Sequence, residues 1–378
     1  MKILHVFKTF YPESYGGIEY VIRTLCENKA LDDQCRVIVL SSKGTDYCLH
    51  HDAYDVYFYK TNFVVAQLGF SWSFFREFKK HALWADVIHF HYPWPVADLC
   101  NFLYPTQHKI KVLTYHSDIV VKKLLYLLYK PLERRFLRDM DVIVATSENY
   151  AHNSHNLKNL SQEKIKIIPI GINAEQRGTD DFVENKRKFS FIDEKYFLFI
   201  GVLRYYKGVD ILLKALQNIE LRVVIAGGGI EFANYKALAD KFHLKNIYFL
   251  GEVTEQEKHE LFKHAYAFVF PSNQRSEAFG IGLVEASSYA LPLITCEIGT
   301  GTSFINLHEK TGLVVKPNDV RALCEAMQTI WTNPELAEKF GKNARERFLQ
   351  QFTSTKMVNE YNKVYTHLMD YKSVNIKN

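Results

Sequence analysis

The chain has 378 residues, more than one hydrophobic core usually organises, so two domains are expected. Its 47% apolar and 24% charged residues describe a globular protein rather than a disordered or fibrous one, and no apolar run approaches the ~20 residues that span a bilayer. The net charge of +5 is too mild to argue for nucleic acid, and "MKILHVFKTFYPES" turns polar too soon for a signal-peptide core, so a cytoplasmic protein is expected.

In chain order, short β-branched and apolar runs alternate with amphipathic stretches. The first half offers "KILHVF", "RVIVLS", "DVIHF", "KVLTY", "DVIVAT" and "KIKIIPI" as strands, with helical patterns such as Ile18–Asn28, Val120–Asp139 and Ser147–Asn156 between them. Continuous apolar runs of this kind fit a parallel sheet covered on both faces. "NAEQRGTDDFVENKRKFSFIDEK" (Asn173–Lys195) is charged and without period, and reads as a linker. The second half repeats the scheme with "YFLFIGV", "RVVIAGG", "NIYFLG", "AFVFPS", "LPLITC" and "TGLVVKP", followed by three helical patterns, the last near Thr355–Tyr371. The fold class expected is α/β, two doubly wound domains facing each other, with ligands in the cleft beyond the carboxyl ends of the strands. The divisions are 1–172, a linker 173–195, a second domain 196–355, and a final helix 356–378 packing back on the first domain.

The loops at strand ends carry the candidate chemistry. Gly16-Gly17 precede a helix and let backbone approach an anion, although a simple tight turn reads equally well and the spacing is not G-x-G-x-x-G. His116 stands one residue past a strand, placed to donate to a substrate, to stabilise developing charge, or simply to serve the structure. His89 and His91, alternating on another strand, read as structural or cleft-lining. In "GVLRYYKG", Arg204 and Lys207 suit a diphosphate, against the alternative of a solvated basic loop. Gly227-Gly228-Gly229 permit close backbone approach. "SEAFGIGLVEA" keeps Glu277 and Glu285 in an otherwise uncharged segment; at 100° per residue they sit about 80° apart on one helix, so no single face holds both. A helix starting near Gly280 would instead leave Glu277 on a loop, expose the N–H groups of Phe279, Gly280 and Ile281 as an anion seat, and put Glu285 within the helix. Carboxylates accept bidentately from vicinal diols, so the segment describes a site for a sugar nucleotide.

Two features argue about partners and metals. From Lys109 to Arg138 there are eight Lys/Arg and two acids among Leu, Tyr and Phe, which suits contact with anionic lipid or a helix with one core and one solvated face; Pro131 is expected to kink or divide it. The triplet Asp139-Met140-Asp141 closes that helix and reads as structural. The six cysteines (Cys26, Cys35, Cys48, Cys100, Cys296, Cys324) contain no C-x-x-C, which argues against a zinc site or a disulfide framework and for buried thiols.

Together, the early Gly-Gly, the strand-end His, "IIPIGIN", "GVLRYYKG", "IAGGG" and the double-glutamate "EAFGIGLVE" resemble the GT-B glycosyltransferases, specifically the large retaining family 4 with its bacterial mannosyl- and glucosyltransferases. The resemblance covers nearly the whole chain. It implies a retaining, metal-independent transferase with an acceptor-side first domain and a nucleotide-sugar-binding second one, acting in bacterial surface polysaccharide synthesis. Glu277 would hold sugar hydroxyls and Glu285 the ribose, Arg204 and Lys207 would neutralise the diphosphate with Gly17 and the Phe279–Gly280 amides near it, and Gly228 and Ile281 would be further donor contacts. His116 and Glu277 would be catalytic. The chain departs from the family where Val202 stands in place of a usual arginine, leaving Arg204 to supply that charge from another angle. The subgroup look favours GDP-mannose as donor, with a UDP-sugar as the other option, and a glycan or polyprenyl-linked acceptor. No cofactor, metal or nucleic acid is expected, and peripheral attachment at the inner face of the cytoplasmic membrane is. The rival readings are a sugar-nucleotide epimerase and a non-catalytic sugar-nucleotide binder.

Overall fold

A computed structural model describes residues 1–30, 32–66, 68–106, 108–119, 123–173, 189 and 191–375. The chain forms two compact units, Met1–Ile170 with Ser354–Asn378, and Gly171–Thr353. The first contains β1 (Lys2–Val6), α1 (Gly17–Glu27), β2 (Gln34–Ser41), β3 (Tyr47–His50), β4 (Tyr54–Lys60), β5 (Phe63–Val65), β6 (Leu68–Phe70), α2 (Trp72–Trp84), β7 (Val87–Tyr92), α3 (Pro95–Leu103), β8 (Ile110–Tyr115), α4 (Lys123–Asp139), β9 (Val142–Ala145), α5 (Glu148–Asn153) and β10 (Ile165–Ile167). The second contains β11 (Phe197–Ile200), α6 (Val209–Ala215), β12 (Val223–Ala226), α7 (Phe232–Lys241), β13 (Ile247–Gly251), α8 (Glu255–His264), β14 (Ala267–Phe270), α9 (Ile281–Ser288), β15 (Leu293–Cys296), α10 (Gly301–Ile305), β16 (Gly312–Val315), α11 (Val320–Thr332) and α12 (Pro334–Gln351). The final helix, α13 (Ser354–Asn375), belongs to the first unit.

Every apolar run singled out above becomes a strand in one of two α/β sheets. The larger has the order β10-β9-β8-β7-β1-β2-β4-β3 and is parallel except for β3; the smaller is wholly parallel, β13-β12-β11-β14-β15-β16. β7, β8, β9, β11, β12, β14 and β15 are buried at every position, because helices cover both faces of a parallel sheet. Each sheet reverses its winding once, between β1 and β7 and between β11 and β14. Those are the switch points where the following loops diverge and leave a crevice.

Four strands, β3 to β6, have no counterpart in the sequence reading. β4 mixes Tyr and Asp with Val and Phe, so no continuous apolar run marks it, although Tyr54, Val56, Phe58 and Tyr59 are buried. Residues 174–188 and 190 of the expected linker lie outside the described residues, but Phe191 and Ile192 at its end are buried, Phe191 against Tyr196 and Tyr248. Of the expected helix starting at Val120, residues 120–122 also lie outside the described residues. Pro131 does not divide α4, which runs unbroken from Lys123 to Asp139. The proline sits on the exposed side of the helix, where a carbonyl left unbonded by its missing N–H is least costly.

α13 docks through Met357, Val358, Tyr361, Tyr365 and Leu368, a stripe at helical spacing, each at most 9% exposed. Two of these side chains reach polar groups of the sheet. The Tyr365 hydroxyl bonds His89 Nδ1 at 2.7 Å, and Thr114 Oγ1 lies 2.8 Å from the Tyr361 hydroxyl and 2.7 Å from His89 Nε2. Tyr365→Phe would keep the ring packing and leave His89 Nδ1 buried without its partner. It should cost about 1–3 kcal/mol, read as a roughly 5- to 150-fold loss of hydrogen-exchange protection across α13; unchanged protection would show that packing alone holds the helix.

Candidate functional site

In the second unit the loops after β11 and β14, neighbours at the switch point, are locked together. Gly208 has φ +68°, and a Cβ there would stand 2.1 Å from the Pro271 carbonyl oxygen, so only glycine lets the two loops touch. The Asn273 N–H donates to the Tyr206 carbonyl at 2.9 Å across the same contact. Lys207, at the end of the turn Tyr205–Lys207, therefore meets Glu277 from 70 positions away, Nζ to Oε2 at 2.5 Å. The Lys207 and Glu277 side chains are only 13% and 11% exposed, and Ser272 Oγ donates to the same Oε2 at 3.3 Å. A turn closed by the Glu277 N–H on the Gln274 carbonyl leads to Gly280, the N-cap of α9, at φ +96°. The cap offers no side-chain acceptor to the first N–H groups of the helix, beside which Phe279 is buried.

Glu285 sits one turn into α9 with its side chain one-fifth exposed, and its Oε1 accepts from Lys258 Nζ at 2.7 Å. Lys258 also takes Glu255 Oε2 at 2.7 Å. It is delivered by α8, whose start is fixed by a capping box in which Thr254 and Glu257 each satisfy the other's backbone N–H. Burial raises the pKa of Glu285 and Lys258 opposes that rise; for Lys258 itself burial acts downward, but Glu285 and Glu255 outweigh it and the ammonium is held charged. Lys258 was absent from the sequence reading. The T-x-x-E spacing of Thr254 and Glu257 signals a helix start but does not say what the helix faces.

The remaining second-unit candidates divide. Arg204 is exposed at the mouth of the same loop, with no ion pair among the described residues, and Val202 is 57% exposed. The glycine run after β12 packs against protein: a Cβ at Gly227 would meet the Gly201 carbonyl at 2.1 Å, and one at Gly229 the Leu203 carbonyl at 2.5 Å. At Gly228 the same test meets the Glu252 side chain at 2.7 Å.

In the first unit, the loop before Gly16-Gly17 is held by two carboxylates. Glu13 accepts from Tyr47, Ser41 and both donors of Ser42; burial would raise its pKa, but these donors bring it down to about 2. Glu19 accepts from Thr9 at 2.8 Å and Ser14 at 2.7 Å, and a Cβ on Gly16 would meet Glu19 Oε2 at 2.6 Å. Gly16 thus makes room for a protein carboxylate, while Gly17 opens α1 exposed. His116 is 6% exposed past β8, its N–H on the Tyr92 carbonyl, and burial lowers its pKa to about 3. Its Nε2 lies 3.2 Å from His91 Nδ1, so the strand-end histidine is tied to one read as structural or cleft-lining.

The Asp139-Met140-Asp141 triplet is committed to protein. Asp139 holds Lys111 Nζ at 2.5 Å and Asn101, while Asp141 accepts from the Lys111 N–H and from Lys372. The cysteines, scattered in sequence, are not all scattered in space. Among the described residues, ligand-capable atoms of His5, Cys26 and Cys35 lie within 4.8 Å of one another, as do those of His5, His89 and His91.

The comparisons bear on the family and the fold. Residues 15–176 match the model described as Glycosyltransferase Family 4 and residues 181–347 that of Glycosyl transferases group 1. The chain is 42% identical over 359 residues to the D-rhamnosyltransferase WbpZ of Pseudomonas aeruginosa, covering 94% of this chain and 93% of that one. It is 41% identical over 377 residues to the O-antigen chain mannosyltransferase C of Escherichia coli, covering 99% and 100%. Among solved structures, the sucrose-phosphate synthase of Thermosynechococcus elongatus superposes with a TM-score of 0.81 over 98% of this chain and 99% of that one at 21% identity, a likeness of fold. With its pair of Rossmann-like α/β units of the GT-B kind, the chain belongs to the family 4 glycosyltransferases.

Proposed function

We propose that the chain transfers a hexose, with retention of anomeric configuration and without a metal, from a nucleotide-sugar donor to a glycan or polyprenyl-linked acceptor in bacterial surface polysaccharide synthesis. The observation that carries this reading is the Lys207–Glu277 pair held beside the uncapped start of α9. A cation and free helical N–H groups suit the donor diphosphate, and the adjoining carboxylate suits the hydroxyls of the sugar. Lys207, Arg204 and the amides of Phe279, Gly280 and Ile281 are assigned to the phosphates, with Gly17 and Gly228 as further backbone contacts. Glu277 is assigned to the sugar, Glu285 to the ribose and His116 to the developing charge on the transferred sugar. One relative is named a D-rhamnosyltransferase and the other an O-antigen chain mannosyltransferase, which supports GDP-mannose or a related GDP-sugar ahead of a UDP-sugar.

Attachment to the inner face of the cytoplasmic membrane is part of the same proposal. Among the described residues no helix is long and apolar enough to cross a membrane. On α4, however, Leu125, Leu127 and Leu128 are exposed by 47%, 62% and 76%, on a helix that also carries Lys130, Arg134, Arg135 and Arg138. That composition fits an interfacial contact with anionic lipid.

Four measurements test the reading. In a thermal-shift panel of GDP, UDP, ADP and their sugars, the matching nucleotide at ~100 times its dissociation constant should stabilise by about 2.7 kcal/mol in chelator; isotope from the matching donor should appear in acceptor, with kcat reduced at least ~100-fold in Glu277→Ala, and full turnover by that variant would remove the role. Lys258→Met removes the charge that opposes the upward shift of Glu285, so the acid limb of 1/KM for the donor should move to higher pH; a limb in its original place would detach Glu285 from the ribose. Flotation should recover the protein with anionic vesicles and not with neutral ones, and Leu127→Glu/Leu128→Glu should abolish recovery; equal recovery on both lipids would refute the electrostatic contact.

A further inference from the structure

Between β4 and α2 the first unit carries a two-stranded sheet of its own, β5 antiparallel to β6. β6 lies on the body of the unit: it packs against α3, and a Cβ on Gly69 would stand 3.0 Å from the Leu40 side chain. β5 lies on the outside. Successive strand residues point to opposite faces, yet Phe63, Val64 and Val65 are exposed by 41%, 65% and 56%, so neither face of β5 is covered. Trp72, the first residue of α2, adds a ring that is 67% exposed and centred 5.6 Å from that of Phe63. Edge strands in water usually carry a charge or a proline, and β5 has neither.

The charge around the hairpin decides what covers it. Lys43 after β2, Lys60 at the end of β4, and Arg76, Lys79 and Lys80 on α2 are all exposed. On α2 the exposed residues Trp72, Arg76, Lys79, Lys80 and Leu83 recur at helical spacing. The acids beside them are engaged: Glu77 pairs with both Arg76 and Lys80, Asp46 accepts from the Lys60 N–H and from Ser73, and Glu13 accepts from Ser42 and Tyr47. Free cations around apolar side chains and a tryptophan match the headgroup layer of an anionic bilayer. A strand from another chain fits less well, because β5 offers only three residues of edge to hydrogen-bond. The same edge limits the depth. Its outward N–H and C=O groups must stay hydrated, so the hairpin enters the headgroups and not the hydrocarbon.

Topology says what this contact does. In a parallel sheet, every connection that follows a strand leaves at the carboxyl edge. The hairpin follows β4, and α4, which exposes Leu125, Leu127 and Leu128 in its first turns, follows β8. Gly16-Gly17 and His116 follow β1 and β8 at that edge too. We infer that the β5–β6 hairpin with Trp72 is a second membrane contact, which enters the headgroups of an anionic bilayer and, with the start of α4, holds the carboxyl edge of the large sheet against it. The inference rests on the proposed membrane attachment and gives it an orientation: the crevice of the first unit opens beside the lipid, where a polyprenyl-linked acceptor presents its sugar.

The tests use the full-length chain and vesicles of phosphatidylcholine, alone or mixed with phosphatidylglycerol. Phe63→Ser/Val64→Ser/Val65→Ser removes apolar area and no charge; its flotation with the mixed vesicles should fall at least ~10-fold, with the thermal transition unchanged. Val64→Cys, made in Cys48→Ser to remove the native cysteine that is not buried and labelled with an environment-sensitive dye, should shift its emission to the blue on the mixed vesicles alone. Transfer to a polyprenyl-linked acceptor in those vesicles should drop in the triple variant, while transfer to a water-soluble glycan acceptor stays at the wild-type rate. Wild-type flotation of the triple variant, or a dye that stays in water, overturns the inference, as does a wild-type dimer in solution that the triple substitution dissociates. The α4 contact is judged separately: it fails if Leu127→Glu/Leu128→Glu floats like the wild type, whatever the hairpin variants do.

Discussion

The close approach of two loops at Gly208 and Pro271 is the constraint from which the second-unit site follows. Neither Lys207 nor Glu277 has a local reason to be where it is: one ends a short turn after β11, the other lies within a loop after β14. The sheet order makes those strands neighbours, and the left-handed glycine removes the side chain that would hold their loops apart. The resulting ion pair is largely withdrawn from water. Removing one partner of such a pair costs about 3–5 kcal/mol, because the other charge is stranded. The pair is therefore a fixed part of the site rather than a surface contact that forms and breaks. Fixed charge is what a site for a charged ligand needs, since nothing has to reorganise when the ligand arrives.

The first unit packs its final helix with neutral polar groups. Beneath α13 lie imidazoles, tyrosine hydroxyls and a threonine, and the helix closes over them with two tyrosines. Polar groups buried this deeply must be satisfied one by one, which gives the packing of the final helix a unique register. Burial pushes His89, His91 and His116 away from protonation, so these rings enter the packing as neutral groups.

The two sheets were legible because parallel strands covered on both faces leave continuous apolar runs such as "FLFI" and "VVIA". β4 was not, because Tyr and Asp alternate with its buried residues; nor was the undivided α4, because whether a proline breaks a helix depends on which side faces water. The candidate residues were visible only as residue types: His116, Lys207 and Glu277 stand where loops leave a sheet, and Glu285 one turn into a helix. Their partners were not. Lys258 reaches Glu285 from a helix 27 positions earlier, and His5 reaches His91 from 86 positions away, through strand order that no local pattern encodes. The glycine run at 227–229 taught the opposite lesson. A motif that permits close backbone approach was satisfied at Gly227 and Gly229 by the chain's own carbonyls, so the glycines serve loop packing.

The two glutamates that mark this sequence differ in what their lysines leave them. Glu277 shares Oε2 with Lys207 and Ser272, and Glu285 gives Oε1 to Lys258, so each keeps one carboxylate oxygen that accepts no described protein donor. A carboxylate held by one oxygen is oriented without being consumed, and the other oxygen stays an acceptor for a hydroxyl. The lysines differ in the complementary way. Lys258 is divided between two carboxylates, which ties its charge to the protein, whereas Lys207 pairs with one. An ammonium has three donors, so Lys207 can hold Glu277 and a phosphate oxygen together. In the proposed function that single nitrogen links the leaving diphosphate to the carboxylate holding the sugar, and Lys258 serves only to keep Glu285 ionised against its burial.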